Sequence, residues 1–203
     1  DNSGIVFEAY KRGIPWIAGP MLNIVNSFSL LNLKENFNCT GAFISNEISK
    51  IQLKGIRKPA DFELYYSIYH PTVLMTSRQC FFHQVTACEK LKIDDACIPF
   101  CNKSASITNL KGKTFIIEKS GGNHHRIYNE FNYLNTNVIT DFPDLFSGYL
   151  IDLSAIRIKT VAESSHLELI GIFKDVLDRK PGAGEKLRNI IHPTTNEQYK
   201  KGI

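Results

Sequence analysis

The chain has 203 residues, 43% hydrophobic and 22% charged; that composition fits an ordinary globular protein with one sizeable core, or a core and a small appendage, and disorder is not expected. Its formal net charge of +4 comes from Lys and Arg spread among acids, which permits a nucleic-acid partner without requiring one. No apolar run approaches the roughly 20 residues that cross a bilayer, and "DNSGIVFEAYKRG" lacks the basic start and apolar core of a secretory leader, so a cytoplasmic setting without membrane insertion is expected.

The missing initiator Met suggests a chain that begins inside a longer one. From Gly4 to Lys11 the apolar spacing is helical, Gly13 ends it, and "IPWIAGP" reads as a short buried strand, Ile14 to Ala18. Ser27 is the expected cap of a helix over Phe28 to Leu33, followed by a strand at 41–45, "GAFIS". Asn46 then caps a third helix, Glu47 to Leu53, and a third strand covers Phe62 to Ile68. Strand and helix in alternation are the grammar of parallel α/β architecture. Three units are too few to close an eight-stranded barrel. If these are barrel units, the other strands lie upstream, and residues 1–75 should leave an apolar sheet edge uncovered.

Residues 78–103, "RQCFFHQVTACEKLKIDDACIPFCNK", hold Cys80, Cys88, Cys97 and Cys101, although the chain has only five cysteines. Thiolate is a soft ligand that iron–sulfur clusters and zinc both accept. Two disulfides, a structural zinc that recruits His83, and unligated core thiols are the competing readings; the first fits poorly with a reducing compartment. A cysteine nucleophile is conceivable at Cys80, with His83 or Arg78 as the activating group. Cys39, between a helix and a strand, reads as a small buried hydrophobe. Beyond this segment "ASITNL", "TFIIEK", "HRIYNEF" and "SGYLIDL" are short and partly alternating, as in an antiparallel or mixed β region. An amphipathic helix follows at about Glu163 to Leu177, with Leu167, Leu169, Ile170, Phe173, Val176 and Leu177 near one side.

"GPMLNIVNSFSLLNLKENFNCTGAFISNEISKIQ", Gly19 to Gln52, resembles the late βα units of peptidase family U32, in which a strand ending in Leu-Asn-hydrophobic-x-Asn is followed by a helix and a strand ending in Ser-x-Glu. "FELYYSIYHPTVLMTSRQC" is similar to the family's next strand and its Met-x-x-x-x-Cys, and "NEQYKKGI" to its closing segment. The resemblance covers nearly the whole chain and implies the C-terminal part of an incomplete (β/α) TIM-type barrel followed by a small β-rich extension. The expected division is residues 1–78 as the last βα units, 79–103 as a cysteine-rich metal-binding segment, and 104–203 as the extension. The family carries two labels, collagenase-like peptidase and iron–sulfur protein needed for hydroxylation of quinone precursors, transfer RNA or ribosomal RNA.

The resemblance implies a [4Fe–4S] cluster, with Zn as the alternative. Some members have a Cys before a helix and a later Cys-x3-Cys pair, matching Cys80, Cys97 and Cys101; others add a Cys seven positions before the first, where Val73 stands here. Cys88, or a cysteine upstream, then remains for the fourth ligand. The peptidase label finds no Gly-x-Ser-x-Gly elbow and no His-Glu-x-x-His helix. Reactive groups of α/β barrels sit at the C-terminal strand ends, which nominates Asn23 and Asn26 for substrate binding, Ser45 and Glu47 after the second strand, and Tyr69 and His70 after the third. Glu47 and His70 are the catalytic candidates, against ordinary roles as a first-turn acid and a loop histidine. Arg126 is a candidate anion contact, and the adjacent His124 and His125 read as a polar hairpin. An RNA partner would use Lys111, Lys113, Lys119, Arg126, Lys200 and Lys201, interleaved with Phe115, Tyr128 and Tyr199. A small aromatic substrate and a partner subunit of the same family are the other expected partners.

Overall fold

The computed structural model describes residues 3–86, 88–89, 97, 101, 103–120 and 124–202. Helix α1, Ser3–Lys11, ends before Gly13, whose positive φ suits a residue without a Cβ. Strand β1, Trp16–Ala18, leads through a single 3-10 turn, Pro20–Leu22, into α2, Ser27–Phe37, and β2, Cys39–Ile44. Helix α3 is Lys50–Lys54 and strand β3 is Glu63–His70. Next come β4, Val73–Ser77; α4, Phe81–Val85; β5, Ser104–Thr108; β6, Thr114–Ser120; β7, His124–Asn129; and β8, Asn132–Leu134. The chain continues through α5, Asn137–Asp141; β9, Gly148–Ile151; β10, Val161–Ala162; α6, His166–Leu177; α7, Ala183–Ile190; β11, Ile191–His192; β12, Thr194–Thr195; and α8, Glu197–Lys201. The protein is thus of mixed α/β class. No described helix is long and apolar enough to cross a membrane.

Two compact units divide the chain, and they interleave along it. The first takes residues Asp1–Tyr69, Leu134–Asp152 and Asn196–Ile203; the second takes His70–Tyr133 and Leu153–Thr195. Such units are assembled from strand partners distant in sequence.

In the first unit β1, β2, β3 and β9 pair in that order, all parallel. Helices α2 and α3 are the crossovers from β1 to β2 and from β2 to β3, as parallel pairing requires. Leu30, Ala42, Ile44, Leu53, Leu64, Tyr66 and Ile68 form its core. Gly41 permits β2 to approach β3 closely: a Cβ there would lie 2.9 Å from the Glu63 carbonyl oxygen. "SGYLIDL", expected in an antiparallel or mixed β region, supplies β9 to this parallel sheet and stands apart from the antiparallel strands β4 to β7. Its register partners Tyr65 to Tyr69 on β3 are decided by tertiary pairing, which local alternation does not encode.

The helix starts also differ from expectation. Asn26, not Ser27, caps α2, accepting a hydrogen bond from the Ser29 N–H at 2.9 Å. Ser49, not Asn46, caps α3 through a capping box with Gln52. Asn46 instead donates from its amide to the Ser67 carbonyl at 2.9 Å. The first strand is less buried than expected: Ala18 is fully buried, but Ile14 and Ile17 are about half exposed, at 50% and 47%. Strand β1 lies at the end of its sheet. Ile5, Phe7, Met21 and Phe28 of the flanking segments are exposed as well.

The second unit contains the antiparallel sheet β4-β7-β6-β5. In the same unit Asn132 and Tyr133 of β8 pair in parallel with β12, and β10 pairs antiparallel with β11. Ser165 caps α6 by accepting from the Glu168 N–H, and α6 buries Leu169, Ile172, Phe173 and Val176. Ile172, which sequence spacing passed over, thus belongs to the core stripe, while Leu167 is exposed. Leu187 and Ala183 of α7 are also buried.

Candidate functional site

Cys80 stands at the N-terminal edge of α4 with extended backbone, and its side chain does not cap the helix. Instead, the Phe81 N–H at the start of α4 donates to Nδ1 of His125 on β7, 3.2 Å away. His125 is 2% exposed, with its ring 4.7 Å from that of Phe82. Burial, followed by the charge of Lys119, lowers the His125 pKa below its usual 6.5, against the opposing hydrogen bond to the Gln79 backbone. A neutral imidazole can keep Nδ1 as an acceptor, and this ties β7 to the segment that carries Cys80. The adjacent histidines are therefore unlike one another: His125 is a buried clamp, not half of a polar hairpin. Its parity with Ile117 and Ile127 across the β6–β7 register carries the signal that sequence reading missed.

Cys80, Cys88, Cys97 and Cys101 are all half-buried. Residues 87, 90–96, 98–100 and 102, which thread between them, lie outside the described residues. Among the described residues no group of three or more His, Cys, Asp or Glu side chains is arranged to hold a metal ion. The donor chemistry suits an iron–sulfur cluster or zinc; a converged ligand set is not part of the described geometry. His83, the alternative zinc ligand, is exposed. Cys39 is buried, donates its thiol to the Gly41 carbonyl at 3.1 Å, and has its pKa pushed up by burial.

The strand-end residues have identifiable local roles. Asn23 adopts a left-handed conformation after the 3-10 turn, which Asn tolerates better than most residues, and Asn26 caps α2. Ser45 is buried; its Oγ accepts the Glu47 N–H at 3.2 Å, and its own N–H donates to the Ile24 carbonyl. Glu47 is exposed. Tyr69 is buried. In the second unit, the His70 ring stacks on Tyr133 with centroids 5.1 Å apart, and its Nδ1 lies 3.1 Å from the Pro71 carbonyl oxygen. Glu47 and His70 are held in different units.

Two aromatics of the proposed RNA surface are unavailable for stacking. Tyr128 is buried, and Tyr199, 3% exposed, donates its hydroxyl to Asp141 Oδ2 at 2.6 Å. Lys50 meets Asp141 Oδ1 at 2.7 Å. Desolvation pushes the Asp141 carboxyl up, but the bonds from Lys50 and Tyr199 outweigh it and the pKa falls below 3.8. Burial and the Asp141 carboxylate drive Tyr199 far above its usual value. Residues 196–202 thus belong to the first unit, with Tyr199 as their anchor. Lys113 keeps its ammonium 5.7 Å from the Phe115 ring centre.

Sequence reading also missed buried polar atoms in the second unit: Thr72 Oγ1, Asn129 Oδ1 and Arg126 Nε have no hydrogen-bond partner among the described residues. It missed a polar cavity as well, lined by Lys103, Ser104, Glu118, Lys119 and Arg157. In comparisons with known proteins, no family model, curated protein or solved structure matches the chain.

Proposed function

We propose that the chain is the C-terminal part of a protein resembling peptidase family U32, and that Cys80, Cys88, Cys97 and Cys101 hold a [4Fe–4S] cluster supporting hydroxylation of an RNA base or an aromatic quinone precursor. The observation that carries this reading is the set of four half-buried cysteines between residues 80 and 101. Half-burial leaves sulfur reachable by an inorganic centre while limiting water around it, and soft thiolates suit iron and sulfide. His125 contributes by fixing the backbone next to Cys80, so that one ligand enters assembly already oriented.

The first unit fits the barrel part of the proposal. Its strands β1, β2 and β3 are parallel and in chain order with helical crossovers, as in consecutive barrel units. The apolar side chains around β1, at the end of the sheet, suit coverage by a further parallel strand. Glu47 remains a candidate catalytic group of the first unit, with Asn23 and Asn26 as candidate substrate contacts there; His70 remains the catalytic candidate of the second unit, with Arg126 as its candidate substrate contact.

Anaerobic purification with iron, sulfide and zinc assays and a visible spectrum tests the cluster. About four irons per chain are expected; one zinc per chain would replace this reading with a zinc-stabilised structural domain. The collagenase-like peptidase reading is tested with Cys80→Ser, since unchanged hydrolysis would remove Cys80 as its nucleophile.

A further inference from the structure

We propose that the cavity of about 300 Å³ lined by Lys103, Ser104, Glu118, Lys119 and Arg157 binds a phosphate group, carried by a free nucleotide or by a nucleic-acid strand. All five residues belong to the second unit. Three cations and one carboxylate face the same space, a net charge of about +2 that favours a multiply charged anion and disfavours a metal cation. The volume is at the lower end of small-molecule sites, which run from roughly 300 to 1,000 Å³, and thus suits a phosphate with a sugar or base attached.

The site is held in shape by its own hydrogen bonds. Glu118 Oε1 accepts the Arg157 backbone N–H at 2.8 Å, and the Arg157 guanidinium donates from NH1 to Ser104 Oγ at 3.1 Å. The carboxylate therefore fixes the strap that carries Arg157. The guanidinium, anchored by one of its five donors, has others to offer a phosphate, whose oxygens match its planar fork. Ser104 and Glu118 are directly opposed on β5 and β6, and Glu118 is opposed by Arg126 on β7, so one row on one sheet face runs from the cavity to Arg126. The Arg126 Nε is buried without a hydrogen-bond partner among the described residues. A buried guanidinium nitrogen in that state is costly, and an anion beside this row would offset the cost. This inference rests on the cavity and does not depend on the iron–sulfur reading.

The test is calorimetric titration of the purified chain with inorganic phosphate, AMP, adenosine and a short single-stranded oligoribonucleotide at low salt. Phosphate and AMP should bind competitively, adenosine should not bind, and affinity should fall as salt rises. Oligonucleotide binding displaced by phosphate would assign a nucleic-acid source; AMP binding with no oligonucleotide binding would assign a free nucleotide. Arg157→Gln, an exposed substitution, should weaken phosphate binding by roughly tenfold or more. Arg157→Lys, which keeps the charge and loses the fork, should fall between it and the unaltered chain. Absence of phosphate and AMP binding at low salt would overturn the proposal, as would equal affinity in Arg157→Gln and Lys103→Gln, each shown to be folded by circular dichroism.

Discussion

The two units differ in which polar groups the described residues answer and in what they leave exposed. The first holds a parallel sheet with several locally answered polar groups: caps at Asn26 and Ser49 close helix starts, and Asp141 answers both Lys50 and Tyr199. What it leaves exposed is apolar, around β1. The second is an antiparallel sheet in which polar atoms of Thr72, Arg126 and Asn129 are buried without partners among the described residues, and the thiol segment and the cationic cavity belong to it. Buried polar atoms without partners are places where a ligand can find purchase. The candidate chemistry is therefore assigned mainly to the second unit.

The largest effect that sharpens this contrast lies in the two cores. Tyr66→Ala, at a fully buried position of the first unit, should cost about 3–5 kcal/mol, as large-to-small aromatic substitutions do. The single tryptophan, Trp16, belongs to the same unit and reports it by fluorescence during urea unfolding. Phe173→Ala in the second unit should move the Trp16 transition less than Tyr66→Ala does; equal shifts would mean one cooperative core and would break the comparison.

A smaller effect is expected at Asp141. Asp141→Ala leaves the buried Tyr199 hydroxyl without its acceptor and should cost about 1–3 kcal/mol at pH 7. Because the folded pKa of Asp141 is depressed, its contribution is complete above the unfolded value near 3.8 and is lost as pH falls through the lower folded value. Urea midpoints should accordingly decline less steeply in the variant than in the unaltered chain on acidification below about pH 4. Parallel declines would remove Asp141 as an anchor. The smallest expected loss is about 1 kcal/mol for Ser49→Ala, which opens the α3 capping box; an unchanged urea midpoint would show that tertiary packing alone holds α3.

Local rules explain which features were legible in the sequence. Helix periodicity and Gly13 mark α1 correctly, and the alternation of short strands with helices marks the βαβ order of the first unit. Cap positions moved by one residue at α2 and three at α3, because Asn26, Ser27, Asn46 and Ser49 are all competent caps and only the backbone conformation chooses among them. Strand β9 escaped because its parallel partner β3 is far away in sequence. His125 and the cavity escaped for a related reason: a clamp linking β7 to the start of α4, and a strap from Arg157 to Ser104 and Glu118, are relations between segments that no spacing along the chain records. The cysteines were legible as a cluster in sequence, which spacing alone does record.

The measurement that bears most directly on the account is native mass spectrometry of the chain purified and reconstituted anaerobically, beside Cys97→Ser. The account predicts an intact mass carrying four irons and four sulfides per chain, as a [4Fe–4S] centre on thiolates requires, and its loss in the variant. An apo mass with Cys80, Cys88, Cys97 and Cys101 all open to alkylation, or a single zinc in place of the cluster, would contradict it.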